Sequence, residues 1–522
     1  MPSVTDEARL DDLSVVNLDD LAVKSDAEVE EIDRRSADSP YFNRDLAPAG
    51  PSRRTWSTWN ITAMWIGMSV VITTYLLAAG LMAAGMNWWQ ALLTITLGNL
   101  IVLVPMILNA HAGTRYGIPF PVFVRASFGV RGANIAAIAR ALVACGWFGI
   151  QTWLGGLALD ALLTQLWGGW AGLGWHRGFA FAIFWVIQVA IIVRGMEAIK
   201  YLESWASPVL LGGGFALLIW AFVDVGSITE PFGATAQDAL VSEGPGFWTL
   251  FWPALAANVG YWATLSLNIP DFTRFAQSQR SQAIGQAIGL PLAMAVFSFI
   301  GIAVTSATVL IYGEAIWDPI ALIVRMDNAG ILVLAMIVIV LAQVTTNMAA
   351  NVVAPSNDFS NLWPRRISFR LGGVITAIIG IAIFPWEIFE RQGAYIFTWL
   401  VGYGSLLGAI AGIMIVDYWV LRRERLDLAA LYSADPRGEY WYSAGFNWRA
   451  IVAMVVAVVP VIPGFIDAAT TENFAGFTDP SLLQRFYTYG FGFTFLVAAV
   501  VYWALMTLAA PRTEPAAAHG GK

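Results

Sequence analysis

The sequence predicts an all-α integral membrane protein with about twelve transmembrane helices. Of its 522 residues, 58% are hydrophobic and only 12% are charged, which is roughly half the charged share of a soluble domain. The mean hydropathy is +0.64, and twelve apolar runs approach or exceed the ~20 residues that a helix needs to cross a bilayer. A chain of this composition cannot cover itself with polar surface, so we expect membrane lipid to surround it.

The apolar runs follow one another through connections that are too short for a soluble enzymatic domain. Any chemistry must therefore lie inside the helix bundle. The predicted spans are 61–83, 89–109, 134–160, 178–194, 203–223, 247–267, 283–312, 329–353, 370–386, 393–421, 448–466 and 487–509.

The two ends of the chain differ from this pattern. Acidic residues outnumber basic ones in the first fifty residues, which hold much of the net charge of −7, and no apolar core follows a basic start as in a signal peptide. We predict a mostly disordered acidic cytoplasmic tail over residues 1–50, for which an inert role is favoured over a regulatory one. A transmembrane domain follows over 51–510, and a short cytoplasmic tail over 511–522. The acidic excess argues against a nucleic-acid partner.

The distribution of arginine and lysine predicts the orientation in the membrane. If the N-terminus is cytoplasmic, most basic residues between the runs fall in inner loops, where basic residues are favoured. Only Arg177, Arg325, Arg391 and Arg485 then fall in outer loops. We therefore expect a multi-pass protein of the inner or plasma membrane with both termini in the cytoplasm.

Residues that could carry out catalysis are few. Cys145 is the only cysteine, which excludes internal disulfides and a multi-thiolate metal site. The histidines, His111, His176 and His519, are isolated in sequence, so nothing indicates a metal cluster or a hydrolytic triad. An intramembrane enzyme would need a convergent nucleophile and base or a metal, and the apolar runs contain no such set, so we predict that the protein is not an enzyme.

The third run carries a candidate ligand-binding pair. Trp147 and Gln151 are four residues apart, so on a helix they share one face. An indole beside an amide can hold a flat heterocycle, because the ring stacks while the amide donates and accepts hydrogen bonds. The same segment could instead pack through Gly146 and Gly149, with Gln151 bonded to a neighbouring helix, and the spacing leaves both interpretations open.

The eighth run contains five polar side chains within nine residues, which is too many for a surface that faces lipid. The threonine hydroxyls suit a small cation such as sodium, and Asn351 could bond a ligand. Interhelical hydrogen bonding explains any one of these residues, but explains all five less well. They are Gln343, Thr345, Thr346, Asn347 and Asn351.

Glycines interrupt the middles of the first and sixth runs, at Gly67 and Gly260. Interrupted helices at corresponding places in two halves are typical of inverted-repeat transporters, although glycine is also common in membrane helices. Unwound backbone there would offer carbonyls to a cation and amides to a solute. No acidic residue is placed convincingly at mid-membrane, which favours a neutral solute, and we expect loop or structural roles for Asp271 and Glu203.

Several longer motifs carry a family resemblance from about Tyr41 to the end of the twelfth run. They resemble the nucleobase-cation symport family 1, which implies a LeuT-like fold with two inverted five-helix repeats, two further helices and alternating access. The motifs are Gly85–Gln90, Gly98–Asn99, Gly113–Val122, Arg125–Gly132, Gly146–Trp153, Asn268–Arg274 and Asp417–Trp419.

The resemblance also implies a substrate site. Trp147 and Trp262 correspond to the family's aromatic sandwich around the solute, with Gln151 and Asn351 as hydrogen-bond partners. Val71 and the backbone at Gly260 complete the predicted substrate site. Val71 stands where a bacterial hydantoin carrier of the family has glutamine, so one solute hydrogen bond is missing and the substrate can differ.

A sodium site known in the family maps to five positions of this sequence. Its ligands are carbonyl oxygens and hydroxyls, which are hard donors that suit sodium. Family members differ in whether sodium or protons drive them, and a serine of the family site is replaced here by Thr345. The implied ligands are the carbonyls of Gly67, Val70 and Ala342 and the hydroxyls of Thr345 and Thr346.

The function implied is a secondary active cation symporter that imports a neutral planar heterocycle such as allantoin, hydantoin, uracil or a purine. It needs no cofactor other than sodium or a proton as coupling ion, and a monomer suffices because the site lies within one bundle. The alternatives are a proton-coupled cytosine or purine permease and, from other classes, a channel or a binding receptor that does not transport.

Overall fold

The computed structural model describes residues 16–241, 246–390, 394–471 and 480–508. Within these ranges the chain is helical, and the only β-structure is two isolated bridges, Trp56–Ala276 and Ser443–Phe446. The α-helices are α1 Asp26–Ser36, α2 Thr58–Ser69, α3 Ile72–Ala83, α4 Trp88–Tyr116, α5 Phe120–Phe123, α6 Arg125–Phe128, α7 Ala133–Leu166, α8 His176–Ile192, α9 Met196–Val225, α10 Ala234–Leu240, α11 Phe247–Tyr261, α12 Ala263–Asn268, α13 Pro270–Thr273, α14 Gln279–Tyr312, α15 Pro319–Arg325, α16 Ala329–Asn351, α17 Val353–Leu362, α18 Phe369–Ala382, α19 Pro385–Glu390, α20 Ala394–Ile415, α21 Leu428–Leu431, α22 Trp448–Val458, α23 Ile462–Thr471, α24 Leu482–Thr488 and α25 Gly490–Leu508.

Shorter helical segments join these elements. A π-helical turn, Val416–Leu421, continues α20. The 3₁₀ segments are Leu18–Asp20, Arg44–Leu46, Pro51–Arg53, Trp170–Gly172, Glu230–Phe232 and Val459–Val461.

The helices match the predicted spans closely. In the described chain, eight helical stretches are long and apolar enough to cross a membrane, and α2 with α3 forms a ninth span that is bent by 56°. The other three predicted spans coincide with the shorter helices α8 and α18 and with the pair α11 and α12. The all-α membrane fold class is confirmed, and about twelve spans is consistent with this arrangement.

The outer surface of the bundle is apolar. Leu142, Val186, Ile219 and Leu334 are each more than half exposed, although they lie within long helices. Such side chains are unfavourable in water and favourable in lipid tails. Their exposure on several helices fits a protein that is surrounded by a bilayer.

Two of the spans are broken where they reach the interior. Between α2 and α3 the chain leaves helical geometry at Val70 (φ −85°, ψ 79°) and Val71 (φ −149°, ψ 156°). Between α11 and α12 the break falls at Trp262 (φ −107°, ψ 9°). Each break lies two or three residues beyond the glycine from which it was predicted. The breaks leave backbone carbonyls and amides available in the bundle interior.

Glycines allow the helices around these breaks to approach closely. A Cβ added to Gly149 of α7 would lie 2.4 Å from the carbonyl oxygen of Gly380 in α18. A Cβ added to Gly260 of α11 would lie 2.4 Å from the carbonyl oxygen of Leu400 in α20. Both contacts are with backbone, so no side-chain movement could relieve a larger residue.

The N-terminal segment corrects one prediction. Residues 1–15 lie outside the described residues, but residues 16–50 are folded instead of disordered. They contain α1, which Ser25 caps by accepting a hydrogen bond from the amide of Glu28, and they bury Leu21, Val23 and Leu46. The acidic composition led to a prediction of disorder, although these few apolar residues are buried in the folded protein.

Buried arginines hold this segment against the bundle. Arg54 donates to the carbonyls of Ala49 (2.9 Å) and Thr114 (2.6 Å), and Arg274 donates to that of Asp45 (3.1 Å). Burial lowers the pKa of Arg54 to about 9 and that of Arg274 to about 10, so both remain protonated at neutral pH. Backbone carbonyls of the N-terminal segment, together with that of Thr114 in α4, compensate their charge.

Candidate substrate and cation site

A small polar cavity lies where the two broken spans meet α7 and α16. The volume of this cavity that water can occupy is about 20 Å³. None of the lining residues is charged, so the cavity suits a neutral solute. They are Met68, Trp147, Gln151, Tyr261, Trp262, Thr264, Leu265, Thr346, Ala350 and Asn351.

Aromatic rings form the walls of this cavity. Trp147 comes from α7, and Trp262 stands at the break between α11 and α12. The ring of Tyr261 makes edge contacts with both, at centroid distances of 5.4 Å to Trp147 and 5.0 Å to Trp262. Trp65 of α2 makes an edge contact with Trp262, at a centroid distance of 5.2 Å. Flat apolar surfaces of this kind favour stacking with a planar ring.

A hydrogen-bond network fixes the polar side of the cavity. The side-chain amide of Gln151 donates to the hydroxyl of Thr73 at 3.1 Å, and this hydroxyl shares a hydrogen bond of 2.7 Å with that of Tyr261. The indole N–H of Trp147 donates to the hydroxyl of Tyr403 at 3.2 Å. The broken first span therefore contacts α7 and α11 through neutral polar groups.

Asn351 lines the cavity and is held in place by its own helix. Its amide donates to the side-chain oxygen of Asn347 at 2.9 Å. Asn347 in turn donates to Gln188 of α8 (2.6 Å) and to Thr152 of α7 (3.1 Å). Of the two interpretations of the eighth run, interhelical bonding therefore describes Asn347, whereas Asn351 faces the cavity.

Two fully buried polar atoms of the lining residues have no hydrogen-bond partner among the described residues. They are the side-chain oxygen of Gln151 and the indole N–H of Trp262. Both are buried, and a buried polar group without a partner costs about 1–3 kcal/mol. One acceptor and one donor are thus available to a solute that carries both N–H and C=O groups.

Two predicted substrate-site residues, Val71 and Gly260, are not among the residues that line this cavity. Gly260 packs against the backbone of Leu400, as described above. Val71 lines a separate apolar cavity, together with residues of α9, α14 and α16. Conversely, the prediction missed Tyr261 and Thr73. Tyr261 could have been found from its place beside Trp262 in the interrupted run, whereas nothing in the sequence distinguishes Thr73.

The predicted cation ligands meet beside the cavity, where the C-terminal end of α2 crosses α16. The hydroxyl of Thr346 donates to the carbonyl of Gly67 at 2.9 Å. The hydroxyl of Thr345 donates to the carbonyl of Ala342 at 2.9 Å and lies 3.5 Å from that of Gly67. Val70 packs in one cluster with Ala342. These are hard, neutral oxygens at a helix C-terminus, where the helix dipole favours a cation.

Acidic residues are buried in the bundle, contrary to the expectation from the sequence. Asp271 accepts hydrogen bonds from the amide of Phe120 and the side chain of Asn357, and Asp358 lies 4.0 Å from Arg140. Arg140 also donates to the carbonyl of Ala350, which lines the cavity. A buried charged cluster thus adjoins the cavity. Glu203 is buried elsewhere, against Gly67.

Comparison with known proteins agrees with this architecture. The family described as permeases for cytosine/purines, uracil, thiamine and allantoin matches residues 48–487. The chain belongs to this permease family. It is therefore a membrane transporter and not an enzyme, and the resemblance inferred from its motifs is confirmed.

Individual members of the permease family align over most of the chain. The purine-uracil permease NCS1 of Arabidopsis thaliana is 42% identical over 488 residues, which cover 91% of this chain and 79% of that protein. The allantoin permease of Bacillus subtilis is 40% identical over 441 residues, covering 81% and 87% respectively. The nucleobase-cation-symport-1 transporter Mhp1, in a closed conformation with bromovinylhydantoin bound, has a TM-score of 0.73 at 27% identity and covers 90% of this chain and 96% of that one. The LeuT-like fold is thereby confirmed.

Proposed function

We propose that the protein is a symporter that carries a neutral, planar, amide-rich heterocycle together with sodium. The solute class is that of allantoin, hydantoin, uracil and the purine bases. The observation that carries the proposal is the uncharged cavity in which Trp147 and Trp262 provide stacking surfaces and the side-chain oxygen of Gln151 has no partner in the described parts of the chain. Relatives named for purine, uracil, allantoin and hydantoin transport support this choice.

The ring of the solute stacks against Trp147 and Trp262, and its edges bond to Gln151 and Asn351. A planar amide presents alternating N–H donors and C=O acceptors, and one of its N–H groups matches the side-chain oxygen of Gln151, which has no partner among the described residues. Because the lining is neutral, a charged solute would lose its hydration without compensation.

Sodium binds among the carbonyls of Gly67, Val70 and Ala342 and the hydroxyls of Thr345 and Thr346. Thr346 belongs both to this oxygen set and to the cavity wall, so the two ligands share a residue. Such sharing gives a physical route for coupling, since ordering Thr346 for one ligand favours the other. The cycle is alternating access, with both termini in the cytoplasm and the monomer as the working unit.

Calorimetric titration of the purified protein with hydantoin, allantoin, uracil, cytosine and adenine, each with and without sodium, tests the proposal. We expect one of these compounds to bind more tightly in sodium. Stacking contributes roughly 1–3 kcal/mol per base, so Trp147→Ala should weaken binding about 5- to 150-fold.

The control is Trp248→Ala, the same substitution at a tryptophan that is 69% exposed on the outer surface of α11. It should bind like the wild type. Binding that is indifferent to sodium would retain the heterocycle site and replace sodium with protons as the coupling ion. A protein that binds none of the compounds would refute the proposed solute class.

A further inference from the structure

Glu203 is a buried carboxylate that has no hydrogen-bond partner among the described residues. It lies in α9, as the third residue of the stretch Tyr201–Val225 that is apolar enough to span the membrane, and it is only 2% exposed. Within the part of the chain that the structure describes, neither of its carboxylate oxygens accepts a hydrogen bond. A lone ionised carboxylate is costly to bury, so residues of this kind in membrane helices belong to ion and solute pathways.

The carboxylate points at the proposed sodium site. A Cβ added to Gly67 would lie 1.9 Å from Oε2 of Glu203, so the carboxylate fills the space that this glycine leaves open. The Cβ and carbonyl oxygen of one residue are close together, which places Oε2 within roughly 6 Å of the Gly67 carbonyl. That carbonyl is the one to which Thr346 donates.

Serines and an asparagine continue this polar strip along α9 and α2. Ser207, one turn beyond Glu203, donates to the carbonyls of Ala63 (2.6 Å) and Glu203 (2.7 Å). Ser204 accepts from the amide of Asn60, which is only partly buried near the start of α2. A line of neutral polar groups therefore runs from the end of the bundle that we assign to the cytoplasm to Glu203 and Gly67.

No described cation neutralises Glu203. The helices α2 and α16 contain no charged side chains at all. In α14 the only charged side chain is the exposed Arg280 near its start, and the titratable Tyr312 stands at its far end. On α9 the described titratable side chains are Tyr201, which is 71% exposed, and Asp224 at the far end.

We propose that Glu203 supplies the negative charge of the coupling-ion site, as a carboxylate on α9 that faces the carbonyl and hydroxyl oxygens of α2 and α16. This inference rests on the proposed sodium symport and adds an anionic group to an otherwise neutral oxygen set. The ion lies between the carboxylate and these oxygens, and its charge offsets the burial of Glu203. The site then ties α9 to both α2 and α16.

Binding of radioactive sodium to the purified, detergent-solubilised protein tests this role without measuring transport. Glu203→Gln keeps the size of the side chain and removes its charge. Two unit charges about 5 Å apart at an effective dielectric constant near 20 interact strongly enough to change affinity by roughly 100-fold. We expect sodium to bind at least about tenfold more weakly to Glu203→Gln, while heterocycle binding in sodium-free buffer is unchanged.

Two further variants make the result specific. Glu203→Asp retains the charge and should bind sodium more tightly than Glu203→Gln, and Glu314→Gln, an exposed acid beside Arg325, should bind it like the wild type. Unchanged sodium affinity in Glu203→Gln would overturn the inference and leave the symport proposal standing. The same conclusion would follow if Glu203→Asp bound sodium as weakly as Glu203→Gln. A wild type that binds the heterocycle but no sodium overturns both the sodium assignment and this role.

Discussion

Replacing Thr346 with valine tests the cation site with little effect on the rest of the bundle. Valine has the branched shape of threonine, so the substitution replaces the hydroxyl with a methyl group and removes the hydrogen bond that the hydroxyl makes. The hydroxyl that is lost donates to the Gly67 carbonyl at 2.9 Å and is one of five proposed sodium ligands. The substitution therefore acts on sodium binding directly and on folding only through one hydrogen bond.

The magnitude follows from the interactions that disappear. A hydrogen bond or comparable polar contact with a charged group contributes about 1.5–3 kcal/mol, so sodium should bind roughly 10- to 150-fold more weakly. The Gly67 carbonyl also loses a donor, which costs folding about 1–3 kcal/mol. Because Thr346 also lines the cavity, heterocycle affinity measured in sodium should fall, and the sodium-free affinity should change less.

Radioactive-sodium binding at graded concentrations measures the first effect, and thermal unfolding measures the second. Thr494→Val is the control, because its buried hydroxyl donates to carbonyls of its own helix, α25, which contributes no residue to the site. It should lose little sodium affinity. Sodium binding to Thr346→Val at wild-type strength would refute the assignment of this hydroxyl as a ligand.

Three further variants test the cavity, the helix packing and the N-terminal segment. Gln151→Ala should weaken heterocycle binding about 5- to 150-fold, by about 1–3 kcal/mol, and unchanged calorimetric affinity would exclude it from the site. Gly149→Ala should lower the free energy of unfolding by about 1–3 kcal/mol, because its new methyl group meets the backbone of Gly380. Gly172→Ala is the control, since no atom lies within 4 Å of the added Cβ, and it should unfold like the wild type. Equal melting temperatures for the two variants would contradict this expectation. Arg125→Met removes hydrogen bonds to the side chain of Asn361 and to the carbonyl of Tyr41. Limited proteolysis should therefore cut residues 16–50 faster than in the wild type. An unchanged cleavage rate would show that Arg125 does not hold this segment.

Local patterns predicted the broad architecture. Apolar length gave the spans, and the interrupted runs around Gly67 and Gly260 gave the two broken helices. The i, i+4 pair of Trp147 and Gln151 does face one cavity, and so does Asn351. These features depend on residues that are near in sequence, where helical periodicity determines what lies together.

Contacts between distant segments could not be predicted in the same way. Tyr261 joins the cavity network through Thr73, which is 188 residues away. The sequence predicted a loop or structural role for Glu203. Its contact with Gly67 could not be predicted, because it joins two spans that are far apart in sequence. The folded segment over 16–50 likewise depends on buried arginines that belong to other parts of the chain.

The exact positions of the helix breaks could not be predicted from the sequence pattern either. Glycine indicated where each helix would loosen, but the backbone leaves helical geometry later, at Val70 and at Trp262. At Gly260 close packing explains why the helix continues, because this glycine packs against the backbone of Leu400. For Gly67 the adjacent space is taken by the carboxylate of Glu203, so that glycine serves helix packing as well as flexibility.

The most direct test of the account is uptake of a radiolabelled heterocycle into proteoliposomes with an inward sodium gradient. The compound is the one that binds best in calorimetry, and the membrane potential is clamped at zero. We predict accumulation above the external concentration that collapses when the sodium gradient is removed and that is lost in Trp147→Ala. Accumulation that persists without sodium, or that Trp147→Ala leaves intact, would contradict a heterocycle site at these tryptophans coupled to the cation site at Thr346.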